Sequence, residues 1–277
     1  MNHAAELITI AEVTRAPLLL PTVPIYQGEK RGVPQVAGTG VLVDLAGLRF
    51  LLTAGHVLDL RMDGQLVIGL SPELLTLAGD PMRLRTPGLK PGLADRIDIG
   101  VVRLSGGPWE EISLDRFLRW EQLDTEIPIV ARHSYALVGY PNSMNRTRVT
   151  GDRLTAFAIS IAGLECTAES YQETGTDPDL NVMVGIDRES LQTVDGQRTG
   201  PDLYGSSGGG LWRYGRYIRT SKGPPKLSAI GIEWHRKGRY RHVLGTRITH
   251  VLAAIADKYP AVRALVDQNQ ATERPGT

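Results

Sequence analysis

Short apolar runs separated by turn residues dominate the chain from Gly38 onward. Most of these runs are rich in Val, Ile and Leu and are bounded by Gly, Pro, Asp or Asn, which is the pattern of β-strands. Strands are predicted at Gly40–Asp44, Leu48–Thr53, Gln65–Leu70, Ile99–Leu104, Tyr135–Val138, Leu154–Ile161, Asn181–Ile186, Gly210–Trp212, Leu227–Ile232 and Tyr240–Leu244. Because long helices do not alternate with these runs, the pattern favours antiparallel barrels or sandwiches over parallel sheets.

Two segments have helical spacing instead. Leu114–Leu123 carries apolar residues at roughly helical intervals, and the apolar residues of Ile248–Ile255 recur at i, i+3, i+4 and i+7. Pro260 is expected to interrupt the second helix. The predicted organisation is an N-terminal extension at residues 1–36, two β-halves with a C-terminal helix at residues 37–267, and a flexible tail at residues 268–277.

Composition is that of a turn-rich globular protein. The chain has 31 glycines and 17 prolines among 277 residues, above the usual share of roughly 12%. Its net charge of +1 argues against a protein that binds nucleic acid or a membrane through its overall charge. The single cysteine, Cys166, excludes an intrachain disulfide framework and a cysteine-based metal cluster.

The N-terminus does not have the pattern of a signal peptide. Residues 1–6 contain Glu6 and no lysine or arginine, and three prolines break the apolar piece Ala16–Ile25. No stretch reaches the roughly 18 apolar residues that cross a bilayer. A cytoplasmic protein without a membrane partner is therefore expected.

Charge is unevenly distributed along the second half of the chain. Residues 213–247 contain ten Lys or Arg and one acid, whereas residues 165–202 contain nine acids and two arginines. These segments are either solvated faces that partly neutralise each other, or a basic surface for an acidic partner or a nucleic acid. The sequence favours the first interpretation.

Three segments carry side chains suited to catalysis, and each also has a purely structural interpretation. Thr53–His56 places a histidine on a turn of small residues after an apolar run, where local hydrogen bonds could also satisfy the imidazole. Asp98–Leu104 opens a strand with an aspartate that can accept a hydrogen bond from an imidazole or cap a turn. Gly205–Gly210 can aim consecutive amides at one spot beside a serine hydroxyl, or form a flexible loop.

Together, the three segments place His56, Asp98 and Ser207 in the chain order of chymotrypsin, which differs from the order in subtilisin and the α/β-hydrolases. The segments resemble the three signature blocks of the trypsin/chymotrypsin-like serine peptidases. The likeness is closest to the bacterial, disulfide-free members of HtrA type, without a PDZ domain. Val138–Pro141 and Ala229–Ile232 also resemble a glycine-containing block and a substrate-lining strand of that family.

The resemblance implies an all-β fold of two six-stranded antiparallel β-barrels with a C-terminal α-helix and the active site between the barrels. It implies that Ser207 is the nucleophile, that His56 is the general base, and that Asp98 orients the imidazole. The amides of Gly205 and Ser207 would form the oxyanion hole. The other histidines lack metal-ligand spacing, and no P-loop or dinucleotide fingerprint occurs, so neither a metal nor a cofactor is expected.

Two departures from the family bear on regulation and specificity. Ser206 stands where animal digestive relatives carry an aspartate, so zymogen activation through that ion pair is not expected. Cleavage after Lys or Arg is not inferred, because Pro201 occupies the usual position of the acid and Asp202 lies one residue further on. The residues assigned to substrate binding by the resemblance are Pro201, Asp202, Gly231, Ile232, Glu233 and Trp234. Trp234 is expected to narrow the pocket and favour a small or medium side chain, although Glu233 and Trp234 are equally well interpreted as surface residues.

The resulting hypothesis is a serine endopeptidase of protein or peptide substrates, with its activity restrained by narrow specificity, an effector or an activating protein partner. A catalytically latent binding subunit with the same fold is the first alternative, and a non-peptide acyl hydrolase is the second. Nucleic acid is not an expected partner.

Overall fold

Two antiparallel β-structures carry most of the chain. The computed structural model describes residues 15–28, 34–62, 64–70, 73–79, 81–90, 94–126, 133–145, 149–150, 153–154, 156–193, 196–214, 223–236 and 241–273. Its strands are β1 (Thr22–Gln27), β2 (Gln35–Leu45), β3 (Leu48–Ala54), β4 (Leu66–Leu70), β5 (Glu73–Thr76), β6 (Pro81–Leu84), β7 (Ile99–Leu104), β8 (Ser134–Gly139), β9 (Val149–Thr150), β10 (Arg153–Leu154), β11 (Ile159–Glu165), β12 (Asn181–Gly185), β13 (Leu191–Thr193), β14 (Gly196–Arg198), β15 (Gly210–Tyr214), β16 (Lys226–His235) and β17 (His242–Arg247). Its α-helices are α1 (Arg15–Leu19), α2 (Gly55–Asp59), α3 (Pro108–Glu111), α4 (Ala168–Thr174), α5 (Ile248–Lys258) and α6 (Pro260–Glu273).

The first half is a curled sheet with the strand order β5-β4-β1-β2-β3-β7-β6. Strands β2 and β3 form a hairpin because Ala46 and Gly47, with φ of 53° and 76°, supply the left-handed turn that matches the twist of the strands. Leu42, Phe50 and Leu52 of this hairpin are fully buried. Their burial favours the sheet through the hydrophobic effect.

The second half is a closed barrel with the strand order β11-β12-β17-β16-β15-β8. Every neighbouring pair is antiparallel. A separate apolar cluster fills it, and its members include Tyr135, Leu137, Val182, Leu211 and Val243. Closure removes the unpaired sheet edges that an open sheet would expose.

The structure has the predicted all-β class, with seven strands in the first sheet where six were expected. Ten strands were predicted, and each segment contains a strand. Ile99–Leu104 has the predicted ends, Leu154–Ile161 divides into β10 and β11, and the other strands have somewhat different ends. Tyr240, where the last predicted strand begins, lies outside the described residues. Strand β1 pairs with β2 and β4, so residues 22–27 of the segment set apart as an N-terminal extension belong to the sheet.

The predicted helix at Leu114–Leu123 is wrong. Two short 3-10 helices occupy Leu114–Arg116 and Trp120–Gln122, and the backbone between them is extended. The Leu118 amide donates to the Leu42 carbonyl, and the Leu118 carbonyl accepts from the Asp44 amide. Phe117 and Leu118, two of the apolar residues in this pattern, are buried, but pairing with strand β2 determines the backbone conformation.

The C-terminal helix is present and Pro260 interrupts it as predicted, because helix α5 ends at Lys258 and α6 begins at Pro260. Between them, the Tyr259 ring packs edge-on against Phe50 of the first sheet, with ring centroids 5.2 Å apart. Helix α6 continues to Glu273, so residues 268–273 of the segment assigned to a flexible tail are helical. Within the described residues, no helix has both the length and the hydropathy of a membrane span.

Candidate active site

His56 lies in the single turn of helix α2, directly after strand β3. Strand β3 delivers the chain in an extended conformation to Ala54, and the helix begins at Gly55. A Cβ atom at position 55 would lie 2.5 Å from Asp98 Oδ1 and 2.6 Å from Arg83 Nη2. Glycine at this position therefore allows the Asp98 carboxylate to approach the start of the helix. The His56 side chain is 50% exposed and faces solvent.

Asp98 binds both the backbone and the side chain of this turn. Its Oδ2 lies 2.5 Å from His56 Nδ1, and its Oδ1 accepts the His56 amide at 2.9 Å. The Asp98 carbonyl also accepts the Gly55 amide at 2.6 Å. Because an ionised carboxylate only accepts hydrogen bonds, this contact places the proton on Nδ1 and leaves Nε2 as an acceptor.

The backbone of Asp98 and its surroundings are specialised for this contact. Its φ of 29° is uncommon for a residue other than glycine, and Asp is among the side chains that tolerate it best. Arg83 Nη2 lies 3.5 Å from Asp98 Oδ1, while Arg83 Nη1 donates to Asp59 Oδ1 at 2.8 Å. The Asp98 carboxylate is thus flanked by an imidazole on one side and a guanidinium on the other.

The loop before Asp98 is anchored by Asp95. Its carboxylate accepts hydrogen bonds from the Thr86 amide, the Thr86 hydroxyl and the Ile97 amide at 2.8–3.0 Å. Although partial burial raises the pKa of the Asp95 carboxyl, these hydrogen bonds outweigh it and hold the pKa below its usual value. The ionised form is therefore the one that fixes the loop.

The segment Gly205–Gly210 is an ordered loop leading into β15. The Tyr204 carbonyl accepts from the Asn142 amide at 2.6 Å, and the Ser206 carbonyl accepts from the Gly209 amide at 2.9 Å. In a trans peptide the N–H points opposite to the C=O. The amides of Gly205 and Ser207 are therefore directed away from these bonds, and within the described residues neither donates a hydrogen bond.

Thr39 of strand β2 connects this loop to the first sheet. Its amide donates to the Ser207 carbonyl at 2.8 Å, and its hydroxyl donates to the Gly205 carbonyl at 2.9 Å. The same hydroxyl accepts from the Tyr140 amide at 2.9 Å. Thr39 is fully buried, so its side chain has no competing contact with water. One residue thus holds the carbonyls of both Gly205 and Ser207.

Gly208 brings the serine loop against the end of strand β3. With φ of 88°, it lies so close that a Cβ atom would overlap the Thr39 carbonyl oxygen and approach the Ala54 amide to 2.9 Å. Ser207 is one residue before this contact and His56 is two residues after Ala54, so the backbones of both residues lead directly into it. Both residues are described, and no hydrogen bond joins them in this structure.

Gly208→Ala is expected to lower the free energy of unfolding by about 3 kcal/mol, because both the positive φ and the overlap with Thr39 oppose a Cβ atom. Gly47→Ala is the matched control, since Gly47 has φ of 76° but no atom within 4 Å of the Cβ position. Its expected loss is about 1 kcal/mol. Urea unfolding of the two variants measures the difference, and equal losses would contradict the packing of the loop against β3.

A narrow cavity of about 20 Å³ lies beside Ser207, with space for one or two water molecules. Its other lining residues are Leu137, Leu203, Ser206, Gly231, Glu233, Trp234 and Val243. Ile232, in contrast, is 3% exposed and packs in the core, and Pro201 does not line the cavity. Asp202 lines a second, larger cavity, and Trp234 lines both cavities.

Glu233 carries the charge nearest to this cavity wall. His235 Nε2 lies 3.3 Å from Glu233 Oε2. The interaction with this imidazole outweighs partial burial and holds the pKa of the Glu233 carboxyl below its usual value. The cavity is therefore lined by one ionised carboxylate, by Ser206 and Ser207, and otherwise by apolar side chains and Gly231. Among the described residues, no group of three or more His, Cys, Asp or Glu side chains is arranged to hold a metal ion.

Comparison with known proteins gives a structural match only. No protein-family model matches the sequence, and no curated protein matches it. The structure is similar to that of neuropsin, a serine protease expressed in the limbic system of mouse brain, with a TM-score of 0.56. The similarity covers 87% of this chain and 96% of the neuropsin chain, at 17% sequence identity. The fold is the trypsin-like double barrel. At this identity the likeness concerns the fold alone.

Within this double barrel, His56 and Asp98 are hydrogen-bonded and Gly208 of the Ser207 loop lies against the end of strand β3. That His56, Asp98 and Ser207 act together stays a prediction. Sequence reasoning missed Thr39, Arg83 and Asn142, which hold the serine loop and the Asp98 carboxylate. Thr39 lies between two glycines, and this small-residue pattern was a usable signal of close backbone approach. Neither Arg83 nor Asn142 lies in a pattern that distinguishes it from a surface residue.

Proposed function

We propose that this chain is a serine endopeptidase that hydrolyses peptide bonds of protein substrates through an acyl-enzyme intermediate. The observation that carries the proposal is the hydrogen bond between Asp98 and His56 Nδ1, placed at the contact between strand β3 and the serine loop. Two further features support it: the trypsin-like fold, and the amides of Gly205 and Ser207, which donate no hydrogen bond within the described residues. These features are the parts of a Ser-His-Asp site recognised by role rather than by sequence position.

In the proposed mechanism, Ser207 Oγ attacks the carbonyl carbon of the scissile bond while His56 Nε2 takes the hydroxyl proton. His56 then gives that proton to the departing amine, and the C–N bond breaks to leave an ester on Ser207. A water molecule then attacks the ester carbon while His56 Nε2 takes its proton. The proton passes to Ser207 Oγ as the ester bond breaks, and the carboxylate product is released. Asp98 keeps the proton on Nδ1 throughout and stabilises the imidazolium that forms twice.

The oxyanion hole is assigned to the amides of Gly205 and Ser207. The negative charge that develops on the carbonyl oxygen would accept two hydrogen bonds there. Each such donor typically lowers the barrier by about 2.7–4 kcal/mol, provided that it is held in place before the reaction. Asn142 and Gly209 hold the carbonyls of the two peptides that carry these amides, so little reorganisation is needed.

Thr39 is proposed as a positioning residue for this hole. Thr39→Val keeps the shape of the side chain but removes the hydroxyl that bonds Gly205 and Tyr140, and we expect kcat to fall about tenfold to hundredfold with little change in KM. Thr39→Ser, which keeps the hydroxyl, should retain most of the activity. The measurement is steady-state kinetics beside thermal unfolding.

The control for Thr39 is Thr22→Val in the same sheet, since the buried Thr22 hydroxyl donates only to the Leu18 carbonyl at 2.7 Å. It should cost stability as Thr39→Val does, without the loss of kcat. A fall of kcat in both variants would mean that Thr39 acts through stability alone.

The residue before the cleaved bond is expected to be small. The cavity beside Ser207 has a volume of about 20 Å³, and Trp234 is part of its lining. A lysine or arginine side chain would not enter it without movement of Trp234, although Glu233 lies in its wall. The narrow cavity therefore favours residues such as alanine or serine at this position.

A latent binding subunit is the second candidate, and one observation favours it. His56 and Ser207 are not hydrogen-bonded in this structure, as they would be in an assembled site. Such bonds are often long in ligand-free enzymes and tighten when substrate binds. An activating partner that shifts the Ser207 loop by a small distance would also allow the hydrogen bond between His56 and Ser207 to form. The geometry is therefore consistent with a regulated peptidase.

Digestion of an unfolded protein such as casein tests the proposal directly. Mass spectrometry should find new peptide termini that increase with time and that are absent when Ser207 is replaced by alanine. Hydrolysis of a small nitrophenyl ester without any new termini would overturn the peptidase in favour of a non-peptide acyl hydrolase. Failure of both reactions would favour the latent binding subunit.

A further inference from the structure

A larger cavity shares Trp234 with the cavity beside Ser207. It has a volume of about 510 Å³, within the range of sites that hold small ligands or peptide side chains. We name it the arginine groove, after Arg188, Arg236 and Arg241 in its lining. Trp234 is common to this groove and to the cavity beside Ser207, so a peptide in the active site can reach both.

The guanidiniums of Arg188 and Arg236 are prepared to bind an anion. Both lie against the Trp234 ring, at 5.9 Å and 5.8 Å from its centroid. Their ion pairs are with Asp202, at 3.7 Å and 3.6 Å, which is too long for hydrogen bonds. Within the described residues, neither side chain makes a hydrogen bond. Two guanidiniums thus share one carboxylate and retain donors for a ligand.

The third arginine is already engaged. Arg241 Nη1 lies 2.8 Å from Glu189 Oε2 and 3.1 Å from Asp187 Oδ1, so it forms an edge of the groove rather than an open donor. Arg236 and Arg241 are the ends of the sequence Arg-Lys-Gly-Arg-Tyr-Arg at residues 236–241, which contains four basic residues and no acid. The residues that line the groove include three arginines and two carboxylates, those of Glu189 and Asp202, so the local charge is positive.

The groove lies next to the Ser207 loop through a contact between Arg236 and Tyr204. The Arg236 guanidinium lies 5.2 Å from the centroid of the Tyr204 ring, and Tyr204 immediately precedes Gly205. The Tyr204 side chain is itself 63% exposed and forms a surface between the loop and Arg236. An anion bound by Arg236 would therefore lie within a few residues of a peptide bond held at Ser207.

We propose that the arginine groove binds an acidic side chain of the peptide substrate, so that the site selects sequences with Asp or Glu near the cleaved bond. The inference rests on the proposed peptidase function and specifies its substrate class. The acid does not occupy the cavity beside Ser207, because the ionised Glu233 carboxylate in that wall would repel it. It binds in the arginine groove, where Arg188 and Arg236 offer charge-assisted hydrogen bonds.

Peptide binding to the full-length Ser207→Ala variant tests the groove without cleavage. The probes are a fluorescein-labelled decapeptide of alternating alanine and glutamate and its alanine–glutamine counterpart. We expect the glutamate peptide to bind about tenfold more tightly at low salt, from its charge-assisted hydrogen bonds. Adding Arg188→Gln and Arg236→Gln should remove most of this difference. Equal affinity for the two peptides, or a preference that survives both substitutions, would overturn the proposal.

Arg263→Gln in the same background is the matched control. Arg263 is an exposed arginine of helix α6 that pairs with Asp257, far in sequence from the groove. The preference for glutamate should remain in this variant, and its loss would show a general charge effect and overturn the proposal. The side chains of Arg188 and Arg236 are 31% and 47% exposed, so the double variant should fold. If it does not fold, Arg236→Gln alone repeats the test.

Cleavage of a proteome-derived peptide mixture by the wild-type chain separates this inference from the function on which it rests. Cleavage sites enriched in Asp or Glu within a few positions support both. Cleavage without that enrichment overturns the groove and leaves the peptidase. Absence of cleavage together with the glutamate preference in binding overturns the peptidase and leaves the groove as a site for acidic peptides.

Discussion

Ser207→Ala is expected to reduce the rate of peptide hydrolysis by a factor of about 10⁴ to 10⁶. Without the Oγ atom no acyl-enzyme can form, and only the oxyanion hole and substrate binding remain to accelerate attack by water. The variant should fold normally, because the contacts of Ser207 with Thr39 use its backbone carbonyl rather than its side chain. Single-turnover kinetics and covalent labelling by a fluorophosphonate probe measure the effect.

The neighbouring serine provides the matched control. Ser206 is 4% exposed, and its hydroxyl has no hydrogen-bond partner within the described residues. Ser206→Ala should therefore keep labelling by the probe and lose less than about tenfold in rate, because removing an unpaired buried hydroxyl leaves no partner unsatisfied. Labelling that persists in Ser207→Ala, or disappears in Ser206→Ala, would show that the nucleophile has been assigned to the wrong serine.

The sequence carried enough information to predict the parts of this site that depend on local backbone conformation. Gly55 before His56, and the glycines around Ser207, marked turns where side chains would obstruct the chain. Strand Ile99–Leu104 was predicted with its observed ends, because apolar residues bounded by an aspartate and a serine identify it locally. These features need no knowledge of distant residues.

Contacts between residues that are far apart in sequence could not be predicted in the same way. The Thr39 hydroxyl bonds groups that lie 101 and 166 residues away, and no local pattern reports such a partner. The helix predicted at Leu114–Leu123 was wrong for the same reason, since pairing of Leu118 with β2 determines the backbone conformation despite the helical spacing. The arginine groove likewise exists only because closure of the second barrel brings Arg188 beside Arg236 and Trp234.

Asp98→Asn is expected to lower kcat by about 10⁴-fold near neutral pH, with a much smaller change in KM. An asparagine amide can donate a hydrogen bond to Nδ1, and this would place the imidazole proton on Nε2, where it cannot accept the proton of Ser207. The His56 amide can still bond the side-chain oxygen, and Arg83 retains Asp59, so the turn should keep its shape. The loss would therefore reflect the tautomer rather than the fold.

Asp59→Asn is the control for this change. Asp59 lies on the same short helix as His56 and, like Asp98, pairs with Arg83. Its side chain is 52% exposed and is not hydrogen-bonded to His56. Its expected effect on kcat is less than about threefold, in keeping with the small contribution of exposed ion pairs. Nitrogen-15 NMR of the His56 ring distinguishes the two tautomers independently of activity. If Asp98→Asn left the proton on Nδ1 but still lowered kcat 10⁴-fold, the orienting role of Asp98 would be contradicted, and stabilisation of the imidazolium by its charge would have to account for the whole effect.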